Sequence, residues 1–162
     1  MYRAIKYLIK IIVKNKWDIK IFFELGSGEG KDIIITNNTL SDFTSFYNKF
    51  KPKYKKYLKL CIDTCHIFAA GYDIRKKGTV NKLLNEIKTD IGIENLGLIH
   101  FNDSYFDINT LKDRHSNIGE GFIGKDSLMY LIKKFKKYKI PILLETKDDY
   151  KTMMKEITFY YK

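Results

Sequence analysis

Four short apolar runs punctuate the chain: IKIFFEL (19–25), YLKLCID (57–63), LGLIHF (96–101) and IPILLET (140–146). Each is rich in Ile, Leu or Phe and is not cleanly alternating. That pattern predicts strands of a parallel sheet covered on its outer face. Helical spacing fills the gaps. Leu40, Phe43, Phe46, Tyr47 and Phe50 recur at that period, as do Val80, Leu83, Leu84, Ile87 and Ile91. Leu128, Leu131, Ile132 and Phe135 mark another helix, and Met153, Met154, Ile157 and Tyr161 a last one. A first helix gathers Tyr2, Ile5, Leu8, Ile9 and Ile12 on one face. The expected organisation is a single domain over residues 1–162: one helix, then four βα units of a parallel α/β fold. A (β/α)₈ barrel typically takes about 250 residues, so four units amount to half of one.

Ligands of parallel α/β proteins bind beyond the C-terminal strand ends. The chemistry-bearing residues fall there. The first run ends at Glu24, the second at Asp63 and His66, both at the strand end, the third at His100, the fourth at Glu145. The segment DRHSNIGEGFIG adds Asp113 and His115. Alone, each has an ordinary reading: a hydrogen-bonded strand-end histidine, a helix-capping glutamate, an Asp113–Arg114 surface pair. Together, four carboxylates on one rim need compensating cations. Carboxylate mixed with imidazole suits Zn²⁺, Mn²⁺ or Fe²⁺ better than Mg²⁺ or Ca²⁺. The seven groups exceed one tetrahedral site, which implies two or more ions, and clustered divalent ions act on phosphate esters. Cys61 and Cys65 read as buried packing thiols. GSGEG (26–30) lacks the phosphate-loop pattern and reads as a tight turn.

Composition changes this picture little. The formal net charge of the 162 residues is +11. That suits a phosphate-rich partner, although the Lys, Ile, Asn and Tyr excess also matches the bias of an AT-rich genome. KKFKKYK (133–139) reads as the solvated end of a helix. No apolar run approaches the roughly 20 residues of a membrane span. Two cysteines four apart suggest no disulfide framework, and a reducing compartment (cytoplasm, nucleus or a viral setting) fits.

CIDTCHIFAAGYD, HFNDS and DRHSNIGEGFIG resemble motifs of the endonuclease IV family, the zinc-dependent apurinic/apyrimidinic (AP) endonucleases. FELGSGEG and ILLET fall where that family has its two glutamate motifs, and order and spacing hold from about residue 15 onward. The resemblance implies a (β/α)₈ barrel with three zinc ions at its C-terminal rim, cleaving the phosphodiester 5′ to an abasic site in double-stranded DNA. Carried over by motif, Glu24 would bridge the first and second ions, and Asp63, His100 and Glu145 would complete the second site. His66, Asp113 and His115 would hold the third ion. Glu24 and Glu145 would thus act in catalysis through the bound metals, where a hydroxide shared by the first two ions attacks the phosphate.

The departures matter too. Leu25 stands where the family usually has Asn, and Lys147 where it usually has Pro. The resemblance covers the last four βα units only. Two further histidines that hold the first ion in the family have no counterpart, because no histidine precedes His66. Such a half-barrel would leave edge strands unpaired and its inner apolar face open. It would need a separate N-terminal half-chain or a second copy, or would be a truncated product. Three functions follow: an AP endonuclease half active when complemented, an inactive metal- or DNA-binding remnant, or a sugar isomerase-like barrel. The long motifs argue against the last.

Overall fold

The computed structural model describes residues 1–29 and 40–146, with Lys151, Met154, Lys155 and Thr158 helical beyond them. Four strands form one parallel sheet in the order β1 (Ile21–Glu24), β2 (Leu58–Asp63), β3 (Leu96–His100) and β6 (Ile142–Leu143). Sequential strands of this sheet are therefore spatial neighbours, the commonest arrangement for consecutive elements. Helix α1 (Tyr2–Lys14) precedes β1, α2 (Ser41–Tyr47) follows it, and a single turn α3 (Pro52–Lys55) leads into β2. After β2 come α4 (Thr64–Ala69) and α5 (Lys77–Glu86). The latter widens into a π-helical turn over Ile87–Ile91 and stops at Gly92, whose φ of 88° an L side chain rarely adopts. Between β3 and α6 (Lys125–Lys136), the two-residue strands β4 (Asp103–Ser104) and β5 (His115–Ser116) pair antiparallel.

The apolar pattern positions these elements. Ile5, Ile9 and Ile12 bury one stripe of α1, but Leu8 faces solvent, which corrects its expected place on that stripe. Phe23 of β1 points into the core against the rings of Phe43, Phe46 and Phe50, at centroid distances of 6.2, 5.6 and 6.2 Å. Such aromatic pairs contribute about 0.5–1.5 kcal/mol each beyond area burial. Val80, Leu83 and Leu84 seat α5, and Leu128, Leu131, Ile132 and Phe135 seat α6. The lysines of 133–139 surround the exposed end of α6, as expected. Of the anticipated last helix, Met154 is helical and exposed, while Met153, Ile157 and Tyr161 lie outside the described residues.

The opposite face of the sheet is thinly covered. Phe22 is 45% exposed, and its ring lies over Gly97, where a Cβ would meet Phe22 Cε1 at 2.7 Å and Lys59 Cβ at 2.9 Å. Trp17, Ile19 and Leu143 are also exposed, flanking the edge strands β1 and β6. Among the described residues, no helix is long and apolar enough to cross a membrane.

Candidate metal centre

Each strand of the sheet delivers one acid or imidazole to the same rim. Glu24 closes β1, Asp63 closes β2, His100 closes β3, and Glu145 follows β6. Register explains the convergence: Asp63 pairs with His100, and His100 with Leu143. One ligand atom from each of Glu24, Asp63, His100 and Glu145 lies within 4.8 Å of the others. The His100 Nδ1 atom stands 3.0 Å from Glu145 Oε2 and 3.1 Å from Glu24 Oε1.

His66 does not come from the strand end, contrary to the sequence reading. It sits in the first turn of α4, a short helix whose six residues are all buried. Asp63 is the N-cap of that helix, and its Oδ1 accepts from the amides of Cys65 at 2.7 Å and His66 at 3.2 Å. Strand and helix thus hand two site residues to the rim within three positions.

A second group joins Asp63, His66 and His115. Asp113 belongs beside it: its carboxylate reaches His66 Nε2 at 3.0 Å and His115 Nε2 at 3.2 Å. The loop bearing Asp113 and His115 is held from two sides. Glu29, in the turn after β1, accepts from the Asp113 amide at 2.8 Å and from Arg114 Nη1 at 3.3 Å. The β4–β5 ladder sets Ser104 opposite His115. Wholly buried Asp103 gathers the following loop, accepting from the amides of Ile123 at 2.9 Å, Gly119 at 3.0 Å and Gly121 at 3.2 Å.

Protonation exposes an unmet need in this cluster. His66 Nδ1 lies 2.9 Å from the Leu25 carbonyl, and His115 Nδ1 lies 3.2 Å from the Glu145 carbonyl. A carbonyl only accepts, so both Nδ1 atoms carry a proton, and in the neutral imidazoles both Nε2 atoms then present lone pairs. Those Nε2 atoms are buried without a hydrogen-bond donor and face carboxylate oxygens. Acceptors turned on acceptors require a cation between them, a proton or a metal ion. Titration behaviour agrees. Burial pushes the Asp63 carboxyl above its usual range, against the pull of His66, His115, Asn102 and the His66 amide. Burial lowers His66, but Asp63 and Asp113, with the Leu25 carbonyl and Glu24, outweigh it and raise the imidazole above its ordinary value. The donor set fits divalent ions of the zinc type.

The seven residues expected from the sequence therefore come together, in two groups that share Asp63. Cys65 Sγ also comes within reach of Asp113 and His115. Burial, helped by Asp63 and Asp113, pushes its thiol up to about 12, and Sγ lies 3.5 Å from the Arg114 carbonyl. The protonated thiol packs, as does Cys61. The sequence reading missed the supports of the site: Glu29, Thr64, Asn102 and Asp103. Asn102 and Asp103 stand in HFNDS, where polar residues follow a core strand, a pattern that an ordinary loop shares. Beside the rim opens a cleft of about 430 Å³ lined by Tyr105, Phe106, Asp113, Arg114, His115 and Glu145.

The model of the xylose isomerase-like TIM barrel family matches residues 1–162. A probable endonuclease 4 of Nitrosopumilus maritimus is 35% identical over 165 aligned positions, which cover 96% of this chain and 57% of that protein. A probable endonuclease 4 of Mycoplasma mobile is 38% identical over 142 positions, 87% of this chain and 47% of that protein. Endonuclease IV from Thermus thermophilus superposes with a TM-score of 0.73 at 20% identity, covering 99% of this chain and 56% of that one, a likeness of fold. The chain spans about half the length of the relatives it matches. Matched throughout by that family model and similar to endonuclease 4 proteins over about half their length, the chain belongs to the xylose isomerase-like TIM barrel family, as a partial barrel.

Proposed function

We propose that this chain carries the hydrolytic rim of an AP endonuclease: a zinc-dependent centre that cleaves the phosphodiester 5′ to an abasic site in double-stranded DNA. One observation carries the reading, the buried imidazole lone pairs of His66 and His115 turned on the carboxylates of Asp63 and Asp113. A cluster built this way is costly unless cations fill it. Glu24, Asp63, His100 and Glu145 would hold one ion, and His66, Asp113 and His115 another. Divalent ions there would supply Lewis-acid polarisation of a phosphate oxygen and a hydrolytic nucleophile at neutral pH. Mn²⁺ or Fe²⁺ satisfies the same donors.

The chain's own groups do the positioning. The Leu25 and Glu145 carbonyls fix the tautomers of His66 and His115. Arg114, paired with Glu29, lines the neighbouring cleft. The net charge of +11 favours a polyanion. Exposed Trp17, Ile19 and Phe22 at the β1 edge and Leu143 at the β6 edge leave apolar surface at both sides of the sheet, which further βα units from a separate N-terminal half-chain would cover.

A metal-binding remnant without catalysis is the second reading. It is favoured by Glu24, whose side chain is 39% exposed and which has only His66 and His100 as imidazole neighbours among the described residues. A nicking assay on a duplex with one abasic site separates the two. Chelator-sensitive 5′ cleavage, alone or with an N-terminal half from a related enzyme, supports the enzyme. Zinc binding with no cleavage in either case leaves the remnant.

A further inference from the structure

Two residues past β3, Asn102 is fully buried and makes a side-chain contact at each end of its amide. Its Nδ2 donates to Asp63 Oδ2 at 2.7 Å, and its Oδ1 accepts from the Glu145 amide at 2.8 Å. The amide orientation follows from its partners, since a carboxylate only accepts and a backbone N–H only donates. The backbone of Asn102 is pinned as well. Its N–H donates to Thr64 Oγ1 at 2.8 Å, and the same hydroxyl donates to the Asn102 carbonyl at 2.6 Å.

One planar group therefore spans the rim from Asp63 at the end of β2 to Glu145, two residues past β6. From Glu145 the connection continues, because its carbonyl lies 3.2 Å from His115 Nδ1. We propose that Asn102 is the positioning residue of the centre, fixing the spacing of Asp63, Glu145 and His115 so that their ligand atoms face the same ions. The proposal rests on the metal-centre reading above.

The residue type is specific for this task. The site asks for one donor and one acceptor in a buried planar group of fixed length. Aspartate keeps the acceptor for Glu145 but turns a carboxylate on Asp63. Serine keeps a hydroxyl but cannot reach both partners. Either change loosens the ligands without touching one, and loss of such an outer partner typically lowers metal affinity about 10- to 100-fold.

The test uses the full chain with zinc chloride and cobalt chloride as probes. Zinc affinity is measured by competition with a chromophoric chelator, and ligand geometry by the visible absorption of bound Co²⁺. Unfolding of the metal-free proteins is followed in parallel. Asn102→Asp and Asn102→Ser are expected to bind zinc about 10- to 100-fold more weakly and to alter the Co²⁺ bands, at temperatures where the metal-free variants are folded. Wild-type affinity with an unchanged Co²⁺ spectrum in a folded variant overturns the proposal. A measurement on the wild type stands independently of variant folding: the ¹⁵N side-chain amide signal of Asn102 should shift stoichiometrically with added zinc. An unmoved signal on a zinc-loaded chain also overturns it. If the wild-type chain binds neither ion, the metal-centre reading itself fails, and the failure is not one of positioning.

Discussion

His115 Nε2 stands 3.4 Å from Asp63 Oδ2, so the imidazole that the family pattern gives to one ion touches the carboxylate it gives to another. Asp63 belongs to both groups of donors, while His100 belongs to one. Asp63→Asn is therefore expected to release more zinc equivalents than His100→Ala, as read by elemental analysis after gel filtration. Equal losses would show that Asp63 does not couple the two groups. Both variants, and Glu145→Gln, should reduce nicking to the level of the chelated control. Nicking that survives His100→Ala and Glu145→Gln would sink the ligand assignment.

The rim was legible because strand ends are. An apolar run that closes on Glu24, Asp63, His100 or Glu145 announces both the strand and its chemistry, and parallel pairing forces the four ends together. What stayed hidden has a common cause. Helix α4 is buried on every side, so TCHIFA shows no polar face and no helical period. The β4–β5 ladder has two residues per strand, too short for any pattern. Leu8 fits the apolar stripe of α1 by spacing, yet solvent covers that position. Asn102 and Asp103 look like loop polarity in the sequence. Only tertiary structure reveals them as buried braces.

The two cysteines offer a test of packing in the centre. Burial pushes both thiols up to about 12. At pH 8 roughly one thiol in ten thousand is then ionised, and thiolate is the reactive form. A disulfide reagent should label the native chain on the timescale of unfolding and label it at once in guanidinium. Rapid labelling of the folded protein would contradict the burial of Cys61 and Cys65.

Asp73 tests the connection between α4 and α5. Its Oδ1 accepts from Arg75 Nε at 2.7 Å, and this bond, with Lys76 nearby, holds the carboxyl below its usual range. A carboxyl lowered in the folded state stabilises at pH values above its unfolded value, about 3.9, and loses that contribution as pH falls through the folded one. Asp73→Asn should therefore lower stability at pH 7 by under about 1 kcal/mol, because the pair is partly solvent-screened. The deficit should shrink between pH 5 and pH 3 in thermal unfolding. A deficit independent of pH would mean that charge is not its source.

Gly121 packs where no side chain fits. A Cβ there would fall within contact distance of the Ser104 carbonyl and of Asp103 Oδ1, groups that organise the loop from 117 to 124. Gly121→Ala is expected to cost about 1–3 kcal/mol by overpacking. Gly78→Ala, at a position with open space around it, serves as the comparison. Equal unfolding midpoints for the two variants would show that the loop is not held as described.

The cap on α4 carries one more consequence, for denticity. With Asp63 Oδ1 engaged by two backbone amides and Oδ2 by the Asn102 amide alone, Oδ2 is the oxygen that keeps a lone pair for an ion. A cation cannot draw both oxygens without uncapping the helix that delivers His66. The carboxylate is thereby restricted to single-oxygen ligation, which favours small ions that accept few donors over large ones that gather many.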